Sequence, residues 1–141
     1  MIRSVIIAVV LTLALVTVGS AEIKEGFWEI TTKSEMKGVP VQLPPTTMKQ
    51  CITKKDLVPK SEIQEPGHEC KIKDQKVSGD TVTYIVECKD QGGNVIEISG
   101  KTIYKGNVFD GITNTTVKTK EQGTMQMTST TSGKYTGPCP K

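Results

Sequence analysis

The segment Cys70-KIKDQKVSGDTVTYIVE-Cys88 constrains the fold more than any other part of the chain. Apolar and polar residues alternate on both sides of Ser78-Gly79-Asp80, the pattern of two half-exposed strands joined by a tight turn. Pairing Val77 with Thr81 sets Ile72 opposite Val86 and Cys70 opposite Cys88, close enough for a cross-strand disulfide. Cys51 and Cys139 then pair by elimination, and their bond closes a loop of most of the chain. In the chain-entropy picture such a loop is worth on the order of 4 kcal/mol. A zinc site built from the four cysteines, or from three of them with His68, is the rival reading. The chain holds no C-x-x-C pair, and its start predicts an oxidising compartment.

That start is Met-Ile-Arg, an almost wholly apolar run from Val5 to Val18, and then Gly19-Ser20-Ala21. It has the order of a secretory signal peptide, with small residues at the cleavage positions, and the run is short for a bilayer span. The expected organisation is a signal peptide over 1–21 and a single disulfide-bonded β domain over 22–141. An uncleaved anchor is the alternative; with cleavage, the protein is periplasmic or secreted and keeps no stable membrane anchor. Residues 1–21 hold the chain's only arginine, Arg3, so seventeen lysines face fifteen acids in the remainder, a net charge of +2. The lysines are scattered among the acids, which is no nucleic-acid footprint. Without arginine the bidentate fork of many phosphate and carboxylate sites is missing too. The 22–141 part is poor in bulky aliphatic residues and rich in threonine, so its core is thin and depends on the disulfides.

Period-two alternation predicts a first strand over Gly26 to Met36, with Trp28, Ile30, Thr32, Ser34 and Met36 on one face. Val39 to Pro45 reads as a proline-containing loop, Thr46 to Ile52 as a short strand carrying Cys51, and Thr53 as the cap of a helical turn ended by Pro59. Lys60 to Glu69 reads as surface loop. A meander follows: Cys70 to Val77, Thr81 to Cys88, Val95 to Lys105, Val108 to Lys118 and Thr124 to Tyr135. The Gly106-Asn107 turn sets Tyr104 opposite Phe109, Ile98 opposite Thr115 and Ile96 opposite Val117. Ile103 and Ile112 fall among charged residues on the other face. The last strand places Met125, Met127, Ser129, Thr131, Gly133 and Tyr135 together, a face short of bulk for a core. The fold class is therefore all-β, an antiparallel meander of about seven strands with little helix. It forms a small barrel or strongly curved sheet, with a sandwich as the alternative.

Gly26-Phe27-Trp28-Glu29-Ile30-Thr31, Pro44-Pro45-Thr46 leading to Gln50-Cys51, Val77-Ser78-Gly79-Asp80-Thr81-Val82-Thr83 and Ser132-Gly133-Lys134-Tyr135 leading to Cys139 occur in one order. In these the chain resembles the domain-of-unknown-function 3617 family of exported bacterial proteins. The resemblance implies a periplasmic or secreted protein and supplies no catalytic residues. Gly26-Phe27-Trp28 also looks like the G-x-W of the first lipocalin strand, where a basic residue from a late strand covers the tryptophan; Lys134 would take that place here, and the plain alternative for Trp28 is a core residue. Ser132-Gly133-Lys134-Tyr135 is similar to the stretch by which periplasmic C-type lysozyme inhibitors block their target, at one residue shorter spacing.

Little else carries chemistry. His68, the single histidine, sits in a Pro-Gly-rich loop beside a cysteine that is expected to be oxidised, so no enzyme activity, metal or cofactor is expected. Met125 and Met127 offer two thioethers on one strand face, with Met48 as a third, for Cu(I); filling of the core is the plainer reading. The leading functional expectation is a non-catalytic binding protein of the envelope for a small apolar or lipid-like ligand, lined by Trp28, Ile30, Tyr104, Phe109, Met125, Met127 and Tyr135. The alternative is an interaction module that meets an envelope protein through Ser132 and Lys134, in the manner of a lysozyme inhibitor.

Overall fold

The computed structural model describes residues 23–40, 42–55, 57–58 and 66–141. The signal-peptide reading lies outside these residues, as do Val41, Asp56, Pro59 and the 60–65 part of the expected surface loop. The described residues form seven strands: β1 (Gly26–Met36), β2 (Thr46–Ile52), β3 (His68–Ser78), β4 (Thr81–Asp90), β5 (Val95–Lys105), β6 (Val108–Thr119) and β7 (Gly123–Gly137). All pair antiparallel in one sheet of order β2-β1-β7-β6-β5-β4-β3. A single sheet excludes the sandwich. The one departure from a plain meander is the return of β7 to β1, which leaves β2 and β3 as edges. The sheet curls strongly without closing.

Turn chemistry fixes much of the register. Gly106-Asn107 joins β5 to β6 with Lys105 opposite Val108, and the pairs Tyr104–Phe109, Ile98–Thr115 and Ile96–Val117 follow as the sequence predicts. Ile112, on the charged outer face, is 43% exposed. The β3–β4 hairpin departs from expectation near its tip. Cys70 pairs with Cys88 and Ile72 with Val86, but Val77 faces Val82 rather than Thr81. Gly79, in the left-handed region at φ 61°, and Asp80 make a two-residue turn with Ser78 opposite Thr81. A bulge at Lys73 absorbs the one-residue slip. β3 also begins earlier than expected, so His68 and Glu69 are strand residues opposite Asp90 and Lys89 rather than loop. No helix occurs among the described residues; Lys54 and Lys55 form a turn, with the Lys54 N–H donating to Glu25 Oε1 at 2.8 Å.

Both disulfides form as paired from the sequence, Cys70–Cys88 across β3 and β4 and Cys51–Cys139 between β2 and the segment after β7. Phe27 pairs with Cys51 on one side and Gly137 on the other, so the second bond crosses the start of β1.

Curvature has a visible cause on the inner face. The ring of Tyr84 lies over its cross-strand partner Gly100, Phe109 lies over its partner Gly133, and Tyr135 lies over Gly26. Each glycine lets an aromatic ring settle against backbone, which draws neighbouring strands inward where side chains would hold them apart. The core divides in two. Trp28, Ile30, Ile52, Val82, Tyr104 and Phe109 form one cluster, and Tyr84, Val86, Cys88 and Ile98 form the other. Leu57 belongs to the first and Val58 to the second, so the connection after β2 lays two apolar side chains across the open side of the curl.

Candidate binding site on the concave face

At one end of the concave face the aromatic residues close together around Trp28, which is fully buried. Trp28 meets Tyr104 and Tyr135 edge-on at ring-centroid distances of 5.8 and 5.7 Å, and Phe109 at 5.2 Å in a tilted arrangement. Its Nε1–H donates to the Lys24 carbonyl at 3.0 Å, which satisfies the one polar atom of the indole. Lys24 Nζ sits 4.2 Å from the Tyr135 ring centroid and donates to Asn107 Oδ1 at 2.8 Å. The basic cover of this end is therefore Lys24, before β1, and not Lys134. Lys134 pairs with Glu29, whose side chain points to the opposite face from Trp28, so alternation carries Lys134 outward.

Beyond the aromatic end the inner face opens into a cavity of about 210 Å³. Ile30, Ile52, Leu57, Tyr84, Tyr104 and Phe109 wall it, and Thr32, Thr102, Gly111, Thr113, Ser129 and Thr131 form its floor. Thr46, Met48 and Gln50 of edge strand β2 complete it, and among the described residues no charged side chain lines it. The floor is deep because its residues are small. Gly111 faces Thr102 and Thr131 across the neighbouring strands, so three successive strands carry nothing larger than threonine at that level. The hydroxyls are anchored in part: Tyr84 Oη lies 3.2 Å from Thr113 Oγ1, and Ser34 Oγ 2.8 Å from Ser129 Oγ. Burial pushes the Tyr104 phenol up to about 12, so it stays neutral and can act as a donor or acceptor at the wall.

Of the residues singled out as ligand-lining, Ile30, Tyr104 and Phe109 face this cavity. Trp28 and Tyr135 stand behind it in the aromatic cluster. Met125 and Met127 lie elsewhere, in a groove at the other end of the inner face with Met36, Val39 and Val117. Ser132 and Lys134 are exposed on the outer face of β7, where they line a shallow depression with Glu29, Thr31, Val108 and Asp110. Sequence reasoning did not single out Tyr84, Leu57 or Thr113. The Tyr84–Gly100 pair is the signal for Tyr84, visible once β4 and β5 are aligned; Leu57 has none, because only the curl brings it to the core.

The fold and site define a class: a curved, disulfide-stapled antiparallel sheet with a hydroxyl-floored cavity on its concave side. The chain belongs to the family described as protein of unknown function DUF3617, whose model matches residues 23–139. It matches no curated protein and no solved structure.

Proposed function

We propose that this is an exported, non-catalytic binding protein of the cell envelope that takes a small apolar or lipid-like ligand into the concave cavity. The observation that carries the reading is the lining: aromatic and aliphatic walls over a floor of hydroxyls, with no charged side chain among the described residues that line it. Such a lining selects a neutral ligand, because an ion taken there would lose its hydration without gaining a partner. The volume limits size. A cavity of about 210 Å³ exceeds the roughly 150 Å³ that accommodates a benzene ring and falls below the roughly 300 Å³ at which drug-sized sites begin. It suits a small ring or the end of one acyl chain, with the threonine hydroxyls orienting a polar atom. Two disulfides support export to an oxidising compartment.

Native mass spectrometry of the protein isolated from the periplasm tests this. A retained mass that leaves on denaturation is expected, and Thr131→Phe, which fills the floor opposite Thr32 and Gly111, should abolish retention in a folded protein. Bare native protein, or undiminished retention by folded Thr131→Phe, would count against the cavity. A second reading, docking of an envelope protein, draws on the outward exposure of Ser132 and Lys134 side by side on β7.

A further inference from the structure

The groove at the far end of the inner face gathers three methionines from two strands. Met36 ends β1 and pairs directly with Met127 of β7, and Met125 follows two residues away on the same face. Directly opposed residues hold their Cβ atoms about 5 Å apart and diagonal ones about 7 to 8 Å. A methionine side chain, with three rotatable bonds, spans such gaps. All three line one groove of about 480 Å³, closed at its sides by Val39, Val117 and Thr115.

Core filling does not account for two of them, and the third, Met127, is half-buried. Met36 and Met125 are each 46% exposed, and neither joins the buried clusters. Exposed methionines on a threonine-rich sheet leave apolar surface in water where a threonine or lysine would not. Three at one spot share one property, a soft, neutral sulfur donor.

We propose that Met36, Met125 and Met127 form a Cu(I) site. Thioethers bind soft, monovalent copper well and harder divalent ions poorly, so the donor set itself discriminates. Among the described residues no three of His, Cys, Asp and Glu gather into a competing site, and all four cysteines are held in disulfides. Lys37, the one charged residue lining the groove among the described residues, has its ammonium directed to Gln126 Oε1 at 3.4 Å, and Glu35 stands at the adjoining rim. The uncharged ligands leave the ion's single positive charge uncompensated, which sets moderate affinity and suits a carrier that must release its ion. The site is separate from the concave cavity and does not depend on its occupant.

Anaerobic titration tests the site, with Cu(I) held by ascorbate, which spares the disulfides, and with a chromophoric Cu(I) chelator as competitor. One copper per chain should leave the chelator, with a first shell of sulfur in X-ray absorption. Met36→Leu, Met125→Leu and Met127→Leu keep side-chain volume, and each should weaken retention about tenfold or more, since even outer-shell changes at metal sites cost about that much. No copper uptake by the unmodified protein, uptake undiminished in the folded triple variant, or a first shell of nitrogen and oxygen would overturn the proposal.

Discussion

Phe109 and Gly133 face each other across β6 and β7, and the ring occupies the space that any side chain at 133 would need. Gly133→Ala is therefore expected to destabilise by about 1 to 3 kcal/mol, the range of overpacking changes. The second variant that makes the test specific is Phe109→Leu. In a double-mutant cycle the pair should cost clearly less than the sum of the singles, because leucine vacates the room the new methyl requires. Additive losses in chemical denaturation would show that the ring and the glycine are not coupled.

The two disulfides should contribute unequally. Cys51–Cys139 spans 88 residues and Cys70–Cys88 spans 18. Loop entropy then assigns about 4.6 and 3.2 kcal/mol respectively. Paired serine replacements should lower Tm more for the first bond than for the second, and full reduction should lower it most. An unchanged Tm in reductant would remove the disulfides from the account of stability.

Alkali should weaken the fold through Tyr104. Its phenol titrates at about 12 in the folded protein and near its ordinary value of 10.0 when unfolded. Below pH 10 both states hold the proton and the contribution is intact; between pH 10 and 12 the unfolded state gives it up first, so stability falls. The total loss is on the order of 2 kcal/mol. Tyr104→Phe should flatten this part of the pH profile relative to the unmodified protein, and identical slopes would refute the assignment.

Lys134→Glu separates the two functional readings. The side chain is exposed on the outer face, so the change should cost no more than about 1 kcal/mol, the effect of a second acid opposite Glu29. If β7 meets a lysozyme-like partner there, inhibition should vanish with the fold intact. Full inhibition by the variant would rule out that surface.

Local pattern made the strands legible, and turn chemistry set the pairing wherever it was unambiguous. Gly106-Asn107 admits one short turn, and every pair of β5 and β6 followed from it. Ser78-Gly79-Asp80 admits two, and the true register near the tip depends on a bulge at Lys73 that no residue type announces. The disulfide at Cys70 was legible all the same, because the bulge returns the lower half of the hairpin to the other register. Position across the sheet was harder. That β1 lies between β2 and β7 is a long-range pairing, and without it Met36 has no relation to Met127, nor Lys24 to Tyr135. The cavity walls were partly legible, since alternation assigns Ile30, Tyr104 and Phe109 to the inner face. Its edge, at Leu57, was not, because burial there follows from how far the sheet curls.

The bond from Cys51 to Cys139 passes over the first residues of β1. Tension on the chain beyond Cys139 thus reaches β2 through sulfur before it reaches the hydrogen bonds of β7. A machine that threads a protein from that end cannot peel β7 away as a single ribbon; it must either admit a covalent loop or tear several strands at once. A pull from the other end meets β1, which must leave β2 and β7 together.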